Sequence, residues 1–157
     1  MSRIHVPIEL RWSDLDAYGH VNNARMLTLL EEARVRVFWR DPDSAQEAPL
    51  AVIDASDATS TRTVIARQEC EYLVPIPHLR APLDVQLWLA KIGGASIEIG
   101  YEVFSAPSVQ PPVLYTRAAT TIVLVDAESM RPRRITDAER EAWAPYLGEP
   151  VAFGARR

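Results

Sequence analysis

The sequence RWSDLDAYGHVNNARMLTLLEEARVRVFW, from Arg11 to Trp39, decides the fold. Its first part, Ser13 to Asn22, is a polar loop with two aspartates, a glycine, a histidine and an asparagine. Its second part is predominantly apolar and predicts a helix. The first N–H groups of a helix are unpaired, and the helix dipole favours negative charge there. A loop this polar at a helix N-terminus is therefore the first candidate for a chemical site.

The helix is predicted from Asn23 to about Trp39, with Asn22 or Asn23 as its N-cap and Pro42 beyond its end. Apolar residues recur at steps of four, three and four, which is the spacing of one buried helix face. That stripe consists of Met26, Leu30, Ala33 and Val37. Glu32 and Arg36 are predicted to form an i,i+4 ion pair on the exposed face.

Alternating apolar and polar residues predict five strands. Pro7 makes the first an edge strand, because proline cannot donate to a ladder. The other four are expected to form an antiparallel meander because their connections are short. In that meander, Gly93-Gly94 forms a two-residue hairpin turn. The strands lie near Ile4–Trp12, Val64–Tyr72, Leu83–Leu89, Ile97–Val103 and Leu114–Val125.

An antiparallel sheet with one apolar face needs a cover, and the helix is the only large apolar element available. The sequence therefore predicts an α+β fold, with an antiparallel five-stranded sheet wrapped around one long central helix. Residues 41–62 predict no firm element, although Leu50–Ile53 is a short apolar patch. Thr136 and Glu139 form a capping box, which predicts a short C-terminal helix.

Length and composition favour one domain spanning residues 1–157. The net charge of −4 argues against a nucleic-acid partner. Cys70 is the only cysteine, which excludes an intrachain disulfide and a cysteine-based metal cluster. The N-terminus resembles a strand rather than a signal peptide, and no apolar run approaches the ~18 residues of a membrane span. We expect a soluble cytoplasmic protein with no membrane association.

The segment D-x-x-G-H-V-N-N, Asp16 to Asn23, resembles the loop of the hotdog-fold thioesterases. The stretches EYLVPI, KIGGASI and TIVLVDAESMRPRRI extend the resemblance over nearly the whole chain. The group it resembles is the 4-hydroxybenzoyl-CoA thioesterase-like acyl-CoA thioesterases. The resemblance implies hydrolysis of an acyl-CoA to a free acid and coenzyme A by a homodimer or homotetramer. It implies no metal and no cofactor, since coenzyme A enters only as part of the substrate.

The resemblance also implies roles for three residues of the loop and helix. Asp16 would act as nucleophile or as general base, and the sequence leaves both routes open. The backbone N–H of Asn23 would hold the oxyanion. His20 would orient Asp16 or contact substrate, unless it only hydrogen-bonds the loop backbone. Tyr18 replaces an asparagine of the plant-type acyl carrier protein thioesterases, so their fuller catalytic set does not transfer.

Other residues are alternatives or binding candidates. Asp14 is predicted to be a turn residue. Some hotdog enzymes use a helix glutamate, but the predicted Glu32–Arg36 pair is a sufficient surface explanation, so Glu31 and Glu32 are disfavoured relative to Asp16. Coenzyme A phosphates require cations. The candidates near the nucleotide are Lys91, Gly94, Ser96 and Arg133, with Arg131 and Arg134 beside them. Solvated loop charge explains these residues equally well. The acyl-pocket candidates are Leu27, Leu30, Tyr72 and Leu50–Ile53, each of which could equally be core.

Three other functions remain open alternatives. An acyl carrier protein thioesterase would use a basic docking surface, which the net charge of −4 does not support. A non-catalytic acyl-CoA-binding protein would not need Asp16. A hotdog hydratase is disfavoured because the N-P-x-H context is absent.

Overall fold

The computed structural model describes residues 2–40, 43, 48, 50–51, 53–54 and 60–154. In order, its elements are β1 Ile4–Ile8, a 3₁₀ turn Trp12–Asp14, α1 Asn23–Phe38, β2 Trp39–Arg40, β3 Ile53–Asp54, β4 Thr61–Tyr72, β5 Leu83–Ile92, β6 Ser96–Phe104, β7 Leu114–Asp126, α2 Asp137–Trp143 and a 3₁₀ turn Ala144–Tyr146. The fold is α+β with a five-stranded antiparallel sheet, as predicted.

Helix α1 begins at Asn23 and is capped by Asn22. The Asn22 side-chain oxygen accepts the N–H groups of Ala24 and Arg25, at 2.8 and 3.3 Å. The sequence left two capping residues open, and the geometry selects the first. The helix has 16 residues, only modestly more than the average of about 11–12. The expectation of one long central helix is therefore corrected to a helix of moderate length, which ends where the chain turns into β2.

The strand order is β1-β5-β6-β7-β4. The predicted four-strand meander is wrong in one respect, since only β5, β6 and β7 are consecutive neighbours and β4 pairs with β7. The β4–β5 connection contains residues 73–82, which is long enough to cross the sheet. Strand β1 occupies the other side of β5, so Pro7 does lie in an edge strand.

The hairpin between β5 and β6 is also different from the two-residue turn expected. Residues 93–95 separate the strands, and the Gly93 N–H donates to the Ser96 carbonyl at 2.7 Å. Neither glycine has positive φ, which the predicted two-residue turns require. Gly93 is needed for close approach instead, because a Cβ there would lie 3.0 Å from the Ser96 hydroxyl oxygen.

The core lies between α1 and the sheet. The helix contributes Met26, Leu29, Leu30, Ala33 and Val37 to a core cluster that also contains buried side chains of β1, β5, β6 and β7. On the exposed face, Arg36 donates to the Pro7 carbonyl at 2.6 Å. The predicted Glu32–Arg36 ion pair does not form within the described residues, because this carbonyl holds the guanidinium against β1.

The C-terminal helix α2 has the capping box that the sequence predicts. The Thr136 hydroxyl accepts the Glu139 N–H at 3.2 Å, and the Glu139 carboxylate accepts the Thr136 N–H at 2.9 Å. Among the described residues, no helix combines the length and apolar character that a membrane crossing requires.

Candidate active site

The loop before α1 is closed around Asp16. One oxygen of its carboxylate, Oδ1, accepts the N–H groups of Tyr18 and His20, at 2.8 and 3.2 Å. The Asp16 N–H donates to the His20 carbonyl at 2.8 Å. Gly19 has φ of +77°, a conformation that glycine adopts at little cost. The carboxylate is thereby fixed in place, and its Oδ2 has no partner among the described residues.

Asp14 anchors the same loop from beneath. Its side chain is fully buried and accepts the Arg11 N–H at 2.7 Å and the Arg11 guanidinium at 3.0 Å. Burial alone raises the pKa of Asp14, but these hydrogen bonds and the charge of Arg11 outweigh it, and the pKa is lowered overall. The Asp14 carbonyl also accepts the Asn22 N–H at 2.8 Å. Asp14 is thus a structural residue of the loop.

The first turn of α1 has one N–H without an acceptor. Asn22 accepts the N–H groups of Ala24 and Arg25 through its side chain, and that of Met26 through its carbonyl at 3.0 Å. Within the described part of the chain, the Asn23 N–H alone among these four has no partner. An unpaired N–H at a helix start attracts negative charge.

Asp16, His20 and Asn23 line one cavity of about 300 Å³. The structure thus brings the three predicted catalytic residues together. The other walls are Val21, Met26, Tyr72, Val74, Pro75, Ile76 and Thr116. Of the predicted acyl-pocket residues, Tyr72 lines this cavity. Leu30 is fully buried core instead, and Val52, within Leu50–Ile53, lies outside the described residues.

The His20 imidazole makes no hydrogen bond within the described residues. The structure therefore lacks, within the described residues, the hydrogen bond from this ring to the loop backbone that the alternative role of His20 requires. The His20 backbone serves the loop by accepting from Asp16, and it forms a bridge with Pro77 of the β4–β5 connection. The ring remains available to the cavity that it lines.

Tyr72 has a role that the sequence did not predict. Its hydroxyl donates to the Asn23 carbonyl at 2.6 Å, so the end of β4 holds the first turn of α1. Burial, with a contribution from Cys70, raises the pKa of Tyr72 to about 12, and the hydroxyl is therefore a neutral donor. No sequence signal could identify this contact, because the two residues are 49 positions apart.

The predicted nucleotide end lies elsewhere, around the β5–β6 hairpin and the chain after β7. None of Lys91, Gly94, Ser96 and Arg133 lines the Asp16 cavity. Lys91 and Gly94 are exposed and Ser96 is half-buried. The Arg133 guanidinium donates to both Glu139 carboxylate oxygens, at 2.7 and 3.0 Å, and to the Thr61 hydroxyl at 2.8 Å. Arg131 and Arg134 are exposed.

No cluster of three or more histidine, cysteine, aspartate or glutamate residues suited to a metal ion occurs in the described ranges. The Asp16 cavity presents a carboxylate, an imidazole and a helix N-terminal amide. Those groups suit addition of water, or of the carboxylate itself, to a carbonyl carbon.

A five-stranded antiparallel sheet on one helix, with a carboxylate beside the helix N-terminus, is the arrangement of the hotdog thioesterases. The chain belongs to the thioesterase-like superfamily, whose family model matches residues 10–143. It is accordingly a thioester hydrolase.

The chain is also similar to individual proteins. The uncharacterized protein YsmA of Bacillus subtilis (strain 168) is 26% identical over 137 residues, which are 85% of this chain and 80% of that protein. A thioesterase complexed with coenzyme A and Zn from Thermus thermophilus is 28% identical, with a TM-score of 0.61 over 95% of this chain and 96% of that one. The DHNA-CoA thioesterase of Staphylococcus aureus has a TM-score of 0.74 at 18% identity, over 92% and 91% of the two chains, and supports the fold alone.

Proposed function

We propose that this protein hydrolyses acyl-CoA thioesters to a free acid and coenzyme A. The observation that carries the proposal is that Asp16 and Asn23 line the same cavity. The Asn23 N–H has no acceptor among the described residues. A thioester carbonyl needs an attacking oxygen on its carbon and a donor for its developing oxyanion. A fixed carboxylate and an unpaired helix N-terminal amide are these two groups.

Two routes are compatible with this geometry. In the first, Asp16 Oδ2 attacks the thioester carbon, the C–S bond breaks, and water hydrolyses the resulting mixed anhydride. In the second, Asp16 takes a proton from water as the water attacks. In both routes the Asn23 N–H donates to the oxyanion and the thiolate of coenzyme A leaves. His20 serves as a substrate contact or orients Asp16.

Coenzyme A would place its phosphates at the β5–β6 hairpin and the chain after β7. Lys91, Gly94 and Ser96 remain candidates there. Arg131 and Arg134 are better candidates than Arg133, because Glu139 and Thr61 already occupy the Arg133 guanidinium. The coenzyme A complex of the Thermus thermophilus thioesterase supports this class of substrate. A cytoplasmic location remains a prediction.

The assembly is proposed to be a homodimer, or a homotetramer built from it. Strand β4, which has 12 residues, is the sheet edge opposite β1 among the described strands. Val64 and Ile65 on this strand are each 42% exposed. Long edge strands with exposed apolar residues favour pairing with another strand, and a second copy of β4 would supply one.

The test is release of free thiol from benzoyl-, hexanoyl- and palmitoyl-CoA by wild type and Asp16→Asn. Asparagine keeps the Oδ1 acceptor for Tyr18 and His20 but removes the attacking carboxylate. We expect the variant to lose at least about a hundredfold in kcat, within the usual range for a lost acid–base group, with its unfolding midpoint unchanged.

Glu31→Gln is the matched control, because it neutralises a helix carboxylate outside the Asp16 cavity. It should keep its rate on the preferred substrate. Equal rates for Asp16→Asn and wild type would contradict the proposed chemistry. If the wild type hydrolysed none of these acyl-CoAs, acyl-CoA would be rejected as the substrate class. Acyl carrier protein thioesters would then be assayed.

A further inference from the structure

Thr116 is a polar residue of the Asp16 cavity that the proposed hydrolysis does not use. It lines this cavity from β7, which lies between β6 and β4, so it is not on the strand edge proposed to pair with a second copy. The residue is 1% exposed. Side chains alternate along a strand, and Ala118 and Ile122 on the same face of β7 belong to the core. Thr116 therefore places a hydroxyl on the inner wall of the cavity.

The Thr116 hydroxyl differs from the other buried serine and threonine hydroxyls in the described residues. The other three, Thr61, Ser105 and Thr120, each have a side-chain hydrogen bond. The Thr116 hydroxyl has none within the described part of the chain. Its Oγ1 is not sealed by protein either, because the one sealed side-chain nitrogen or oxygen without a partner in that part is Nε of Arg117. The hydroxyl therefore opens to the cavity that the residue lines.

This hydroxyl lies at a distance from the reacting groups. Thr116 is directly opposite Tyr72 in the β4–β7 pair. The Tyr72 side chain reaches from β4 to the first turn of α1, where its hydroxyl donates to the Asn23 carbonyl. Thr116 is thus at the sheet end of the cavity, and the Asn23 N–H is at the helix end. A thioester held by the Asn23 N–H would place the far end of its acyl group at Thr116.

The other walls restrict what can pair with the Thr116 hydroxyl. No lysine or arginine of the described chain lines the cavity, and Asp16 already supplies a negative charge there, so an ionised substituent is disfavoured. A plain hydrocarbon would bury the hydroxyl without a partner, which is costly. A neutral oxygen is suitable, because a threonine hydroxyl both donates and accepts. The apolar part of the wall consists of Val21, Met26, Val74, Pro75 and Ile76.

We propose that Thr116 is a specificity-determining residue, which selects acyl groups that carry a hydroxyl or ketone oxygen at the end distant from the thioester. Cavities of about 150 Å³ hold benzene, so a cavity of twice that volume takes an acyl body of roughly six carbons together with its thioester. The inference rests on the proposed function, because it names the class of acyl group that the Asp16 cavity hydrolyses. Thr116 acts in binding and takes no part in the attack on the thioester.

The experiment compares 6-hydroxyhexanoyl-CoA with hexanoyl-CoA, which differ only in the terminal hydroxyl. The wild type should have a kcat/KM at least about tenfold higher for the hydroxylated substrate, because hexanoyl-CoA leaves the Thr116 hydroxyl unpaired. Thr116→Val keeps a similar shape without the hydroxyl and should abolish this preference, chiefly by improving hexanoyl-CoA as a substrate. Thr116→Ser keeps the hydroxyl and should retain the preference. With 3-hydroxyhexanoyl-CoA, whose oxygen is near the thioester, wild type and Thr116→Val should have the same kcat/KM relative to their own rates on hexanoyl-CoA within about threefold.

Thr120→Val is the matched control, because Thr120 is on the same face of β7 and its hydroxyl is bonded to Tyr101. It should leave the substrate preference unchanged and lower the urea midpoint of unfolding. Thr116→Val should leave that midpoint unchanged or raise it, because it removes a buried hydroxyl that has no partner. The two midpoints therefore report on the unpaired hydroxyl independently of activity.

Equal kcat/KM values of the wild type for 6-hydroxyhexanoyl-CoA and hexanoyl-CoA would overturn the proposal and leave the proposed hydrolysis standing. This comparison needs no variant, so it stays decisive if Thr116→Val does not fold. A preference that persists in Thr116→Val would also overturn the proposal, since another group would then bind the oxygen. Absence of hydrolysis of every acyl-CoA would instead contradict the proposed function, and this inference with it.

Discussion

The loop before α1 and the hairpin end of the sheet both carry polar residues that the sequence marks as candidates, yet their hydrogen bonding differs. At the loop, Asp16 Oδ2 and the Asn23 N–H have no partner in the described residues, and both residues face one cavity. At the hairpin end, Arg133 is bound by Glu139 and Thr61, Arg140 donates to the Gly93 carbonyl, and the Ile135 N–H donates to the Gly94 carbonyl at 2.9 Å.

The difference teaches how to separate a reactive site from its scaffold. Groups whose hydrogen-bonding capacity is used within the chain stabilise it, and groups left open toward a cavity can bind or react. The same distinction applies within the loop itself. Asp14 and Asp16 are two residues apart, but one is fully buried and bonded to Arg11, whereas the other keeps a free oxygen.

Asp14→Asn tests whether Asp14 stabilises the loop while Asp16 carries the reactivity. The substitution removes the charge that pairs with Arg11, and we expect a loss of about 2 kcal/mol in the free energy of unfolding. Activity per folded molecule should fall no more than a few-fold, in contrast to Asp16→Asn. Urea denaturation and thiol release on the same preparations measure the two effects.

The pH dependence of the stability difference between wild type and Asp14→Asn provides the control for this prediction. The folded-state pKa of Asp14 is lowered from its ordinary value of 3.8, so its charge contributes full stability above that value. This contribution is lost as pH falls through the folded-state pKa. The stability gap between wild type and variant should therefore narrow in acid. A gap that widened below pH 4 would contradict the structural role given to Asp14.

A smaller effect is expected from Arg133→Met at the hairpin end. It breaks the two-pronged contact with Glu139 and the bond to Thr61, and should cost about 1–2 kcal/mol of stability. The KM for acyl-CoA should change less than twofold. Arg134→Met alters an exposed arginine nearby and should have the opposite profile. Its stability should be normal, and its KM for acyl-CoA should be raised several-fold at low salt and less at high salt. A large KM effect confined to Arg133→Met would restore that residue as the phosphate ligand.

The smallest effect is predicted for Tyr72→Phe. The substitution removes the hydroxyl that donates to the Asn23 carbonyl but keeps the ring on the cavity wall. We expect kcat to fall about three- to tenfold with little change in KM, since the hydroxyl positions the helix turn rather than binding substrate. Stability should be nearly unchanged because Tyr72 is half exposed. A larger change in KM than in kcat would show that the hydroxyl contacts the substrate instead.

Local signals explain why much of this protein was predictable. Asn22 caps α1 through its own side chain, the Thr136–Glu139 capping box starts α2, and Pro7 confines β1 to an edge. Each signal depends on residues within a few positions of one another, so the sequence carries it directly. The grouping of Asp16, His20 and Asn23 is local in the same sense, because a tight turn and the first helical turn bring them together.

Long-range pairing explains what was missed. The sequence does not specify that β4 crosses to pair with β7, because the 73–82 connection is long enough for either edge. The contact of Tyr72 with Asn23 follows from that crossing. Gly93-Gly94 signals a turn, but the turn type depends on how Ser96 packs against Gly93.

The sequence by itself thus determined the fold class, the helix start to within two candidate capping residues, and the loop that carries the carboxylate, because short-range patterning and capping define them. Only the tertiary structure decided which polar groups stay free. The Arg133 guanidinium is held by hydrogen bonds to Glu139 and Thr61, which are distant or separate in the chain. Arg34 is a buried cation because α1 packs on the sheet. Whether a side chain is satisfied depends on partners distant in the chain, and a sequence pattern does not contain them.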